Sequence, residues 1–223
     1  MMTVTLDIVT TAALLFVVAT GLLVIFGVLK IINFAHGAFL TVGAYGALAT
    51  TAFGLNPWLS FPLAFVTGAV VGLLVERLVV RPLYDRPLDA ILATWGLGIV
   101  ISQFITLGFG REIQFAQSPL SGTISILCET YSAYRLVVLA IAIVVGLGFA
   151  TLIEGSRLGL SARAVIMNED LARGLGIDTY RVRRMTFVVG CGLAALAGAL
   201  ITPLRAVADQ RLHAGDGSWF VVS

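Results

Sequence analysis

The chain has 223 residues, 59% of them hydrophobic and only 12% charged, with a mean hydropathy of +1.02. Soluble domains carry about 25% charged residues, so the polar side chains here are too few to cover a water-facing surface. That excludes a soluble enzyme, a disordered chain and a nucleic-acid-binding domain as readings of the whole. The net charge of +2 says little; the positions of the charges along the chain say more.

The N-terminus lacks a basic leader and an Ala-x-Ala cleavage pattern, and runs from Asp7 straight into a long apolar stretch. That stretch reads as an uncleaved first span. A helix needs about 20 apolar residues to cross about 30 Å of hydrocarbon. Charge-free stretches of that order lie between Asp7 and Lys30, Asp89 and Arg111, Arg135 and Glu154, and Arg184 and Arg205. The longer interval from Lys30 to Glu76 holds only His36 as an ionisable group and is divided by the turn signal Gly54, Leu55, Asn56, Pro57. The expected spans are 8–29, 37–54, 58–75, 88–110, 136–153 and 185–204. Small residues recur inside them, as at Gly68 and Gly72 or Ala194 and Gly198, and allow close helix approach in lipid. The ten-residue alternation of a membrane barrel is absent. The fold class expected is an all-α polytopic transmembrane bundle, one domain over 1–223. A seventh apolar run begins at Ser218 and stops at Ser223, as expected of a chain whose further spans are missing.

Lys30, Arg77, Arg81, Arg86 and the six arginines of 154–184 fall in the loops after spans one, three and five, against Arg111, Arg135, Arg205 and Arg211 elsewhere. The positive-inside bias therefore puts the odd loops in the cytoplasm and the N-terminus outside.

Between the first two spans, Asn33 and His36 offer hydrogen bonds to backbone freed at a helix break, and Gly37 permits a sharp change of direction. Two readings stand: an interfacial turn, or a broken helix lining a pathway, since irregular backbone at membrane depth survives only where buried or facing a cavity. The loop 76–89 repeats Arg-Pro-Leu at 81–83 and 86–88 and reads as a positively charged topology anchor. Pro87 suits the first position of the fourth span and Asp89 its first turn. In the loop 111–135, Thr123, Ile124, Ser125 and Ile126 alternate after a turn, which predicts a short outer hairpin, a cap or a contact for a substrate-delivering partner.

The loop 154–184 mixes six arginines with four acids, so it is solvated, yet it is patterned. Ser161 is placed to cap a helix over 162–167. Asn168 is placed to cap a second, with Glu169 and Asp170 in its first turn and Gly176 beyond its end. Leu171, Leu175 and Ile177 give it an apolar stripe, and Asp178 caps the helix that enters the membrane as span six. Two short helices between spans predict a compact docking knob.

Enzyme signatures are missing. The sole lysine, Lys30, precedes Ile31, so no phosphate-binding Gly-x-x-x-x-Gly-Lys loop exists; His36 and His213 lie far apart, and Cys128 and Cys191 have neither metal-ligand nor redox spacing. No acid lies at the middle of a span, where ion-coupled carriers place one.

Three segments, Gly21 through Tyr45, Arg81 through Leu88, and Ser156 through Ala164 continuing to Leu171 through Ile177, resemble the LivH-type permease of branched-chain amino acid ABC importers. The likeness runs through most of the chain. It implies a subunit in a bacterial inner membrane that moves leucine, isoleucine or valine by alternating access. Its partners would be a LivM-like permease, two ABC ATPases holding the ATP and magnesium, and a periplasmic substrate-binding protein, with no cofactor in this chain. Related permeases carry urea or short-chain amides, and a passive channel is the alternative from another class. By position, 161–177 corresponds to the region that seats on an ATPase, with Ser161, Ala164, Asn168, Glu169, Leu171, Ala172, Gly174 and Gly176 as its contact residues. Asn33, His36 and Gly37 correspond to the membrane motif near the pathway. Small side chains at Ala172 and Gly174 are expected at the contact, so that Ala172→Glu should insert normally yet lose the ATPase.

Overall fold

The computed structural model describes residues 2–110, 119–120, 123–126 and 129–215. Six long helices occupy the expected span positions: α1 (Met2–Leu29), α2 (His36–Ala52), α3 (Ser60–Val75), α4 (Pro87–Phe109), α5 (Ala133–Gly155) and α8 (Thr179–Gly215). Between α5 and α8 lie α6 (Arg157–Met167) and α7 (Glu169–Gly174). Stretches long and apolar enough to cross a membrane run over Val4–Leu29, Pro57–Leu83, Pro87–Phe109, Ala133–Gly155 and Thr179–Leu204, five in all among the described residues. At 17 residues α2 is the shortest of the six. The run 218–223 lies outside the described residues.

The punctuation follows the local chemistry. The Asn56 side chain accepts a hydrogen bond from Trp58 N and Pro57 opens the turn before α3. Pro87 stands in the first turn of α4 with Asp89 beside it. The hairpin forms as the alternation predicts: β1 (Thr123–Ile126) pairs antiparallel with β2 (Glu129–Ser132), Thr123 opposite Ser132.

Helix α8 is the axis of the bundle, packed by α1, α2 and α3. Cys191, Ala194, Ala195, Ala197, Ala199 and Leu200 are all fully buried. Small residues make this possible, because in lipid close packing, rather than water exclusion, holds helices together. A Cβ at Gly72 would stand 2.7 Å from Cys191 Cβ, and one at Gly190 would stand 2.8 Å from Gly21 O. Gly43 and Gly198 are tighter still, each set against the facing helix's backbone. Of the small-residue pairs legible in the sequence, Ala194 and Gly198 lie on this axis, and Gly68 and Gly72 of α3 pack against it. Tyr134 of α5 donates its buried hydroxyl to Leu200 O at 3.0 Å and closes the bundle on one side.

Contacts at the helix ends fix relative sidedness. Asp7, at the start of α1, pairs with Arg135, at the start of α5. The other ends of α1 and α5 meet α6 and the start of α8 around an apolar cavity of about 180 Å³ lined by Val28, Ile153, Leu158 and Met185 among others. The N-terminus and the α6–α7 knob are therefore on opposite faces.

Candidate functional site

Lys30 ends α1 in the left-handed region, at φ 58°, and the chain then runs without helix through Ile31–Asn33 and turns at Phe34–Ala35 before α2 begins. The sharp turn is made at Lys30. Gly37, expected to make it, sits within the first turn of α2 without a positive φ, exposed and with none of the described residues near its Cβ position. The non-helical segment returns along α1. His36 Nε2 reaches Val18 O at 3.1 Å, and about 16 Å of helical rise separates Val18 from Leu29. A second ruler agrees: Phe34 N donates to Thr94 Oγ1 at 3.3 Å, and Gly98 faces Ala35, well inside α4. Non-helical backbone thus packs beside helical turns well inside α1 and α4.

Side chains satisfy the freed backbone. Asn33 Oδ1 accepts from Ala35 N at 3.1 Å, and Asn33 O accepts from His36 N at 3.2 Å. Asn33 and His36 are both buried within this chain. Their side chains build the break, while Ile32 and Phe34 show exposed faces.

The knob starts earlier than its sequence pattern predicts. Ser156, not Ser161, caps α6, accepting from Gly159 N at 2.9 Å. Gly159 packs so closely on the carbonyls of Leu152 and Ile153 that a Cβ would not fit, which lets the chain turn at once from α5 into α6. Ser161 lies inside that helix and donates to Arg157 O at 2.9 Å. The rest of the capping pattern holds. Asn168 Oδ1 accepts from Leu171 N at 3.0 Å, with Glu169 and Asp170 in the first turn of α7. Gly176, at φ 84°, closes α7: its N donates to Arg173 O and Ile177 N donates to Ala172 O, both at 3.0 Å. Asp178 Oδ1 accepts from Arg181 N at 3.0 Å and caps α8.

The two faces of the knob differ. Val165 and Ala172 are buried, with Ala164 and Ile177 partly so, in the same core as Val80, Tyr84 and Val182. Ala172 is 2% exposed. This corrects its expected place at a partner contact, because the side chain is consumed by the chain's own core. Gly174 is exposed at the end of α7. Outward stand Met167 (87% exposed), Leu171 (62%) and Leu175 (73%), apolar side chains on a segment otherwise rich in charge.

The loop 76–89 is more than an anchor. A π-helical turn at Glu76–Val80 and a 3-10 turn at Arg81–Leu83 carry Glu76 and Tyr84 into the core. Tyr84 donates to Glu76 Oε1 at 2.7 Å, and burial, reinforced by Glu76, pushes its hydroxyl pKa far above the ordinary tyrosine range. Arg183 lies over the Tyr84 ring and pairs with Glu169, which also holds Arg173 at 3.2 Å. Arg81 and Arg173 both face the Tyr180 ring at 5.9 Å. Sequence spacing could not join residues so far apart. The available signal was an acid, Glu76, placed directly after the apolar run ending at Val75.

Long apolar helices around a buried axial one, with a knob at one face, define a multi-pass α-helical membrane protein. More narrowly, the chain belongs to the family of permease components of branched-chain amino acid transport systems, which matches residues 4–221. The high-affinity branched-chain amino acid transport system permease protein LivH of Escherichia coli is 29% identical over 199 residues, 82% of this chain and 65% of that protein. Its counterpart BraD of Pseudomonas aeruginosa is 27% identical over 205 residues, 82% of this chain and 65% of that protein. The fructose import permease protein FruF of Bifidobacterium longum is 25% identical over 187 residues, 83% of this chain and 51% of that protein. The matched part of this chain thus spans about two thirds of the length of LivH and BraD. No solved structure matches it.

Proposed function

We propose that the chain is the membrane-spanning subunit of an ABC importer for branched-chain amino acids. It works by alternating access, with hydrolysis on separate ATPase subunits. The observation that carries this is the family match across 4–221, in which the permeases named above for branched-chain amino acids are more similar to this chain than FruF. The N-terminus faces outward and the knob faces the cytoplasm, as the arginines of 154–184 favour. The non-helical segment 31–35 and α2 together make one crossing, giving six, and the break at 33–37 flanks the pathway, with Gly37 and Phe34 on its open side. A LivM-like permease completes the pathway, and a periplasmic protein delivers the substrate.

The knob seats on an ATPase through Met167, Leu171 and Leu175, with Gly174 and Gly176 allowing close approach. Asn168, Gly176 and the Glu169 ion pairs set the shape of the seat, and Ser161, Ala164 and Ala172 support it from within. Packing against 80–84 ties the seat to the bundle, so a shift of α7 reaches the spans.

The experiment is uptake by the complete transporter in proteoliposomes. ATP-dependent accumulation of radiolabelled leucine, competed by isoleucine and valine but not by urea, acetamide or fructose, supports the reading. Accumulation of urea or an amide instead would reassign the substrate. Equilibration of leucine by this chain alone, without ATP, would make it a passive channel.

A further inference from the structure

Two buried groups of opposite charge are short of partners on either side of one tyrosine. Glu76 is 1% exposed; its Oε1 accepts the Tyr84 hydroxyl, while its Oε2 finds no partner among the described residues. Arg183 stacks on the ring of that tyrosine, its Cζ 4.8 Å from the centroid. One terminal nitrogen of Arg183 pairs with Glu169, while its buried Nε finds no partner among the described residues. Glu169 is meanwhile shared between Arg183 and Arg173.

A buried charged atom without a partner is unfavourable, and here one rearrangement relieves both. A guanidinium has five donors in a plane and keeps its attraction to an aromatic face as it slides across it. The Tyr84 ring therefore offers Arg183 a path from one carboxylate to the other. The hydroxyl at the end of that ring already holds Glu76 in place.

We propose that Arg183 is a two-position switch, paired with Glu169 of α7 in this conformation and with Glu76 at the foot of α3 in a second. The carboxylates belong to different bodies: Glu169 to the knob, Glu76 to the bundle. The functional half of the inference rests on the coupling reading above. A partner that draws α7 outward takes Glu169 from Arg183; Arg183 then closes on Glu76 and brings the start of α8 against α3. Arg183, Glu76 and Tyr84 are positioning residues in this scheme and touch no substrate.

The test is a double-mutant cycle on the full chain in detergent, read as melting temperature. Glu169→Gln alone should change little, because Arg183 moves to Glu76. Glu76→Gln alone should change little, because Arg183 keeps Glu169. The double variant strands the guanidinium, and its fall should exceed the sum of the single effects by about 4 °C or more. A double variant that does not fold while both singles do is the same result in extreme form. Additive effects within about 1 °C overturn the switch, as does failure of Glu169→Gln alone to fold. Should Glu76→Gln alone not fold, Glu76→Asp, which withdraws the carboxylate by one methylene, takes its place under the same criterion. Co-purification of the wild-type chain with its ATPase reports the coupling reading separately. A non-additive cycle with no bound ATPase keeps the switch and removes the coupling. An additive cycle with bound ATPase keeps the coupling and removes the switch.

Discussion

Leu171 and Ala172 are neighbours on α7 with opposite surroundings, 62% and 2% exposed, so glutamate should act differently at each. At 172 the new carboxylate would enter the core shared with Val165, Tyr84 and Val182. An uncompensated buried charge has an effective penalty of several kcal/mol. For a chain of this size each kcal/mol shifts the melting temperature by about 2–4 °C, so Ala172→Glu should lower it by about 10 °C and reduce the amount in the membrane. At 171 the carboxylate would stand in water, where surface changes stay within about 0.5 kcal/mol. If Leu171 is buried by an ATPase, however, losing it forfeits about 1.5–3 kcal/mol of apolar burial. That is about 10- to 100-fold in affinity, before the new charge is counted. The assay measures melting of the purified chain and titration of the ATPase onto it. A wild-type melting temperature for Ala172→Glu would refute the buried placement, and ATPase affinity within threefold of wild type for Leu171→Glu would refute the docking face.

Gly198→Val should prevent stable assembly, because the new side chain would meet the Leu40 backbone; a normally folded variant, judged by gel filtration, would show that α2 and α8 do not approach so closely. Thr94→Val removes the hydroxyl that accepts from Phe34 N and leaves a part-buried amide short of that partner, at a loss of about 1 kcal/mol. Faster hydrogen exchange over 31–35 checks it, and unchanged exchange would contradict the bond. Asn168→Ala should destabilise the knob by about 1 kcal/mol through loss of the cap to Leu171 N, read as selective proteolysis at α7.

Span positions were legible because charged side chains are excluded from lipid, so Lys30, Glu76, Asp89, Arg111, Arg135 and Glu154 mark the boundaries by their chemistry. The caps at Asn168 and Asp178 were legible for a similar reason: a short polar side chain satisfies backbone within three residues of itself. Local rules failed where two candidates competed, since Ser156 and Ser161 differ only in what Gly159 packs against. They failed again for Ala172, because a six-residue helix carries too little periodicity to say which side faces its own core. The return of 31–35 along α1 depends on Val18 and Thr94, and the Glu76–Tyr84–Arg183–Glu169 network joins three segments; neither leaves a pattern within any one window of sequence.

Under the proposed function, the outward apolar face of the knob is the seat of a partner ATPase. Site-specific photo-crosslinking from position 175 in the assembled transporter tests it most directly, with position 107 as control: Leu175 and Leu107 are 73% and 82% exposed, the first on the knob and the second on α4. The expected result is a crosslink to the ATPase from 175 and none from 107. No ATPase adduct from 175 in a transporter that hydrolyses ATP would contradict it.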